Sequence, residues 1–166
     1  MNEIFKRRSI RQYLDKEVEK EKVEKLLKAA MAAPSAGNEQ PWHFIVIKER
    51  EHLNRLAEIH PYASMLKEAP LAVAVCADLN EQKYEGFWVQ DCSAATENIL
   101  LEAVNLDLGA VWLGVYPAEK RVKDIKEYLE LPENVVPLSI ISVGYPAGDK
   151  PGSGRFKPER VHYGSW

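Results

Sequence analysis

Four basic side chains, Lys6, Arg7, Arg8 and Arg11, surround the hydroxyl of Ser9 in the stretch 5-FKRRSIRQYL-14, within a chain of net charge -3. Guanidinium groups stay charged and grip phosphate or carboxylate through paired N–H donors, and a neighbouring hydroxyl adds one more. The chemistry on offer is capture of a compact anion; a solvated basic tail and a nucleic-acid or targeting patch are the alternatives. A second basic region lies at the other end, where Lys150, Arg155, Lys157 and Arg160 outnumber Asp149 and Glu159. The body between the two ends is therefore acidic. An acidic body repels a polynucleotide backbone, so no nucleic-acid partner is expected. The distribution is compatible with both basic ends meeting on one anion.

Three further groups could contact a ligand. In 34-PSAGNEQPW-42 the small residues Pro34, Ser35 and Ala36 permit close approach by a flat molecule. Asn38 and Gln40 there offer donors and acceptors suited to amide-like edges; an ordinary Pro/Gly turn is the alternative. In 112-WLG-114, Gly114 near a strand end lets backbone approach a ligand, the alternative being a bulge. Arg155 alone reads as a solvated charge. Other chemistry is missing. His43, His52, His60 and His162 show no HExxH spacing, and the single ExxH of Glu49 and His52 is half of what a di-metal bundle needs. No metal is expected. Cys76 and Cys92 lie outside any CxxC, and Cys92 falls on an apolar helix face. Neither Ser35 nor Ser153 sits in GxSxG, and no phosphate loop or GxGxxG fingerprint occurs. No side chain is assigned as catalytic.

These groups must be held by a folded body. With 166 residues, 46% hydrophobic and 28% charged, the chain suits one domain over 1–166 with a real core. No apolar run reaches the roughly 18 residues of a membrane span, and no apolar stretch follows the basic start as in a signal peptide. A cytoplasmic protein is expected. In 18-VEKEKVEKLLKAAMAAP-34, Val23, Leu26, Leu27, Ala30 and Met31 form one helical stripe ended by Pro34. Helices are also expected over 50-REHLNRLAEIH-60, from Tyr84 to Leu108 with Gly109 as its stop, and over 118-AEKRVKDIKEYLEL-131. Strands are expected at 43-HFIVIKE-49, at 71-LAVAVCA-77 (apolar throughout, hence central), at 110-AVWLGV-115 and at 135-VVPLSIISVGYP-146. Four strands interleaved with four or five helices point to a layered helix–sheet–helix domain. The final twenty residues, opening on 147-AGDKPGSG-154, read as an arm crossing a surface.

In this order and spacing, 7-RRSIR-11, 34-PSAGNEQPW-42, 91-DCSAATENILLEA-103 with 108-LGAVWLG-114, 143-VGYPAG-148 and 155-RFKPERVHYGSW-166 resemble the FMN-dependent nitroreductase family. The resemblance spans essentially the whole chain. It implies an α+β fold with a mostly antiparallel central sheet flanked by helices, and a homodimer that exchanges its C-terminal arms. It implies FMN at the subunit interface. Arg7, Arg8, Ser9 and Arg155 would hold the phosphate and ribityl chain, and Arg11 would lie near the pyrimidine edge of the ring. Pro34, Ser35, Ala36 and Asn38 of the other subunit would contact the isoalloxazine, and the backbone at Leu113 and Gly114 would face its N5 region. Two features depart from the pattern: Ser153 stands where many relatives carry a Lys, and the insertion that often roofs the flavin is missing.

The activity implied is ping-pong hydride transfer from NAD(P)H through FMN to a nitroaromatic, quinone or related small-molecule acceptor. The flavin supplies the reactivity and the protein supplies position and field. A specialised reaction on the same scaffold, such as dehalogenation or dehydrogenation, is the alternative among enzymes. An FMN-binding protein without turnover is the alternative outside them, and a flavin-free interaction module with a basic tail is a third class.

Overall fold

The computed structural model describes residues 3–148 and 154–166. Its elements run α1 (Glu3–Lys6), α2 (Lys20–Met31), β1 (Trp42–Ile47), α3 (Arg50–Ile59), β2 (Leu71–Asp78), α4 (Trp88–Asn105), β3 (Gly109–Gly114), α5 (Glu119–Tyr128) and β4 (Val135–Gly144). Short 3₁₀ turns fall at Ala36–Asn38, Ser64–Lys67 and Pro158–Arg160. The strands form one sheet in the order β1-β2-β4-β3, and every neighbouring pair is antiparallel. The architecture is α+β, with helices on both faces of the sheet.

β2 lies inside the sheet because both its faces are apolar. From Leu71 to Ala77 no residue is more than 1% exposed. Leu71, Val73, Val75 and Ala77 pack into a core shared with Val23, Leu26 and Ala30 of α2 and with Cys92, Ala95, Ile99 and Ala103 of α4. The alternate residues Ala72, Ala74 and Cys76 face a second core, with Leu53 and Leu56 of α3 and Ile125 of α5. This division follows from the two-residue period of a strand. Each fully buried Leu or Ile side chain contributes on the order of 1.5–3 kcal/mol. The predicted α2 stripe is only partly inside: Leu27 is half-buried and Met31 is exposed.

α4 starts at Trp88, not Tyr84, and ends before Gly109. Its stop is a paired-hydrogen-bond cap with Asp107 in the left-handed region (φ 58°). The Leu108 N–H reaches the Ala103 carbonyl at 2.7 Å and the Asp107 N–H the Val104 carbonyl at 3.2 Å. Lys22 of α2 donates to the Leu106 carbonyl at 2.6 Å, setting a cation at the negative helix end. Gly109 has a different duty, described below. No described helix is long and apolar enough to cross a membrane.

Candidate functional site

The basic N-terminal stretch is laid along the β3 side of the sheet. Ser9 bridges Ala110 in parallel, the Ile10 N–H bonds the Ala110 carbonyl at 3.0 Å, and Tyr13 bridges Pro146. The buried Tyr13 hydroxyl donates to the carbonyls of Ile10, at 2.8 Å, and Ser142, at 3.2 Å. Burial pushes the ionisation of this phenol up. Two glycines make room for the stretch. A Cβ on Gly109 would stand 2.7 Å from Ile10 Cβ, and one on Gly144 would stand 2.9 Å from the Tyr13 ring and 2.7 Å from Pro70. Gly109 is thus a close-approach glycine at the start of β3, not the helix stop.

With Ile10 and Tyr13 fixed inward, Arg11 between them projects outward and is exposed. It stands at the junction of two grooves. One, of about 780 Å³, is lined by Ser9, Arg11 and Gln12 with Ser64, Met65 and Lys67. The other, of about 510 Å³, is lined by Arg11, Trp112, Leu113 and Gly114 with Tyr62 and Arg121. Arg11, Ser64 and Met65 belong to both, so the grooves are continuous. The second groove carries two guanidinium groups and no carboxylate. Arg11 has no ion-pair partner among the described residues.

The Gly114 end of this groove is rigidly built. His60, 1% exposed, donates from Nε2 to the Gly114 carbonyl at 2.9 Å and accepts the Tyr62 N–H on Nδ1 at 3.2 Å. Those two bonds require the neutral ring protonated on Nε2. Burial pushes the His60 ionisation down, and the charge of Arg121 adds to this. Arg121 donates to the same carbonyl at 3.0 Å and lies 5.3 Å over the Tyr62 ring. Arg50 secures the loop below with bonds to the carbonyls of Leu66, Lys67 and Ala69.

The 34–40 loop is elsewhere on the same chain. Pro34, Ser35, Ala36 and Asn38 line neither groove. The loop is tied to the start of α4 by the Ala36 N–H, which reaches Asp91 Oδ1 at 3.1 Å. Three of its residues are left-handed: Gly37 (φ 51°), Asn38 (φ 55°) and Gln40 (φ 50°). The Gln40 amide donates to Asn38 Oδ1 at 2.8 Å, so these two side chains partly satisfy each other.

The remaining predicted residues are distributed unevenly. Arg7 is half-buried and pairs through Nε with Glu97 of α4 at 3.3 Å. Arg8 bonds the Arg7 carbonyl at 2.5 Å. Arg155 is exposed on an arm, 154–166, that buries no residue against its own chain; Phe156, Tyr163 and Trp166 are 81%, 91% and 100% exposed. Ser153 lies outside the described residues. Thus Ser9, Arg11, Leu113 and Gly114 come together within one chain, and the 34–38 set and Arg155 do not join them.

Sequence reasoning missed His60, Arg121, Glu39 and Asp91. His60 read as a surface or capping histidine, and its burial depends on a loop whose position no local pattern encodes. Glu39 and Asp91 are 52 residues apart and buried together. The fold also gathers His43, Asp78 and Glu81, whose ligand atoms lie within 4.8 Å of one another. His43 Nε2 is 3.1 Å from Glu81 Oε2, and Asp78 Oδ1 accepts from the Asn80 N–H and the Asn134 amide. The Asn134 and Asn80 bonds hold the Asp78 carboxyl below the usual range.

The profile of the Nitroreductase family matches residues 4–145. A protein of Methanothermobacter thermautotrophicus, assigned as an NADH dehydrogenase/NAD(P)H nitroreductase, is 52% identical over 163 residues, spanning 98% of this chain and 85% of its own. A crystal structure assigned as an NADH oxidase of Clostridium acetobutylicum superposes with a TM-score of 0.96 at 53% identity, covering 99% of both chains. An FMN-dependent nitroreductase of Clostridium difficile R20291 superposes with a TM-score of 0.92 at 36% identity, again covering 99% of both.

Proposed function

Because the chain belongs to the nitroreductase family, we propose that it is an FMN-dependent oxidoreductase oxidising NADH or NADPH and reducing a nitroaromatic, quinone or related acceptor. The observation that carries this reading is the double groove centred on Arg11, with Ser9 at one end and the Leu113–Gly114 backbone at the other. Its volumes fall in the usual range for cofactor clefts. Its donor set also fits FMN: a guanidinium without an ion-pair partner among the described residues and a hydroxyl for polar and anionic groups, and Trp112 with the groove-lining Leu113 and Gly114 for a flat ring.

In this reading Ser9 and Arg8 hold the phosphate side, joined by Arg7 and by Arg155. Arg7 serves the anion while still paired with Glu97, which fixes its orientation. Arg11 sets a fixed positive charge beside the pyrimidine edge, where negative charge accumulates on reduction. His60 and Arg121 hold the Gly114 carbonyl, and so the peptide plane beside N5. FMN held by these residues would supply two-electron hydride chemistry between NAD(P)H and the acceptor. Solvent delivers protons, and no side chain acts as general acid.

Two copies complete the site in this reading. The 34–38 residues of one copy contact the ring held by the other, because they line neither groove of their own chain. The exposed aromatic arm grips the partner and delivers Arg155. The unit is one domain over 1–166, acting in the cytoplasm, where the buried free thiols Cys76 and Cys92 stay reduced. Steady-state oxidation of NADH and NADPH with quinone and nitroaromatic acceptors tests the reading. Parallel-line kinetics in both substrates are expected, and FMN binding without NAD(P)H consumption would contradict it.

A further inference from the structure

Glu39 and Asp91 are the two buried carboxyl groups among the described residues, 8% and 5% exposed. One belongs to the 34–40 loop and the other to the first turn of α4. Glu39 Oε2 accepts the N–H groups of Lys83, at 2.6 Å, and Tyr84, at 3.1 Å. Asp91 Oδ1 accepts the Ala36 N–H at 3.1 Å. This leaves Glu39 Oε1 and Asp91 Oδ2, both closed off from solvent and without any other donor.

Among the described residues no cation pairs with either carboxyl. The Lys83 ammonium is turned onto the Gly37 carbonyl at 3.4 Å. On the same connection Tyr84 contributes its backbone N–H, and Glu81 is closed on His43. From α4 the neighbour of Asp91 is the Cys92 thiol, pushed up to about 12 by burial, and Cys92 in turn bonds the Cys76 carbonyl of β2. Two buried carboxyl oxygens without a donor, on side chains that the Ala36 bond brings to one place, are both satisfied if one carboxyl keeps its proton and donates to the other, whereas two ionised carboxylates there would repel. The loop tied down by these bonds has three left-handed residues, two of them not glycine, and such backbone persists only where the surroundings fix it.

We propose that Asp91 and Glu39 share a proton, Asp91 donating to Glu39, and that this clasp positions the 34–38 loop against the flavin of the partner subunit. The loop's contact with flavin rests on the function proposed above; the clasp itself does not. Burial, reinforced by the neighbouring Glu39 carboxyl, pushes the Asp91 ionisation up. A group with a raised folded-state pKa stabilises at low pH and loses that contribution as pH rises through the raised value.

The test compares wild type with Asp91→Asn, whose amide donates permanently to Glu39 while its oxygen still accepts from Ala36. Thermal midpoint and FMN affinity are measured on the full chain from pH 5 to 9. Above the range in which Asp91 keeps its proton, wild-type FMN affinity should fall by up to about tenfold per pH unit relative to Asp91→Asn. The thermal midpoint of Asp91→Asn should exceed that of wild type by a margin that grows with pH. Glu39→Gln, which keeps both N–H acceptors and donates to Asp91, should behave alike and serves if Asp91→Asn does not fold. Variants whose FMN affinity and midpoint run parallel to wild type at every pH would overturn the proposal. Absence of FMN uptake in all proteins would overturn the flavin reading and the loop's role in it, and the midpoints would then decide the clasp alone.

Discussion

Arg11 carries the most weight in the proposed function of any single residue, because it stands at the junction of the grooves without an ion-pair partner among the described residues. Replacing it with Ala should slow reduction by NAD(P)H on the order of 100–1,000-fold, the scale of a lost electrostatic stabiliser, while some FMN stays bound. Anaerobic stopped-flow reduction checks this, and unchanged rates would remove Arg11 from the chemistry. His60 acts one step back, through the Gly114 carbonyl. His60→Ala should cost on the order of 1–3 kcal/mol, since a buried acceptor loses a donor and a cavity opens. Its folded-state ionisation is depressed, so its contribution is full above the ordinary histidine range near ~6.5 and is lost as pH falls below it. Denaturant melts at pH 7.5 and 5.5 should show a wild-type loss on acidification that is smaller in His60→Ala.

Between residue and molecule stands the N-terminal stretch laid on β3. Its position depends on two glycines that admit Ile10 and Tyr13. Gly109→Ala should lift the stretch, costing ~1–3 kcal/mol by overpacking and weakening FMN retention through displaced Ser9 and Arg11. Equilibrium unfolding and flavin titration measure both effects, and a variant with native FMN affinity would show that the stretch is not what places Arg11. This is also where the legibility of the sequence changes. The strands could be read from runs such as 71-LAVAVCA-77, because burial on both faces leaves a continuous apolar stretch. The stripe of Val23, Leu26 and Ala30 likewise announced its helix. Gly109 misled, because a close-approach glycine and a helix-stop glycine look alike until the residue packed against it is known. Asp107, which does stop α4, adopts a conformation that Asp takes seldom enough to give no local signal. Arg7, Arg8, Ser9 and Arg11 were visible as a cluster, but Arg7's pairing with Glu97 depends on how α4 is placed. The His60–Gly114 and Ala36–Asp91 bonds join residues 54 and 55 apart, so no local pattern contains them.

At the scale of the whole molecule, the proposed function puts two halves of a flavin site on different parts of one chain's surface, and the arm residues Phe156, Tyr163 and Trp166 stand in solvent. In that proposal two copies bring the halves together. Truncation after Ala147 should therefore convert a dimer to a monomer and release FMN together. Light scattering coupled to absorbance at the flavin wavelength would read both, and a flavin-loaded monomer would break the link between assembly and site. The central claim, that this is a flavin oxidoreductase drawing on NAD(P)H, is tested most directly by the visible spectrum of the full-length protein after incubation with FMN and removal of free ligand. The account predicts the absorption bands of oxidised flavin, bleached anaerobically by NADH or NADPH. A colourless protein, or bound flavin that neither nucleotide bleaches, would contradict it.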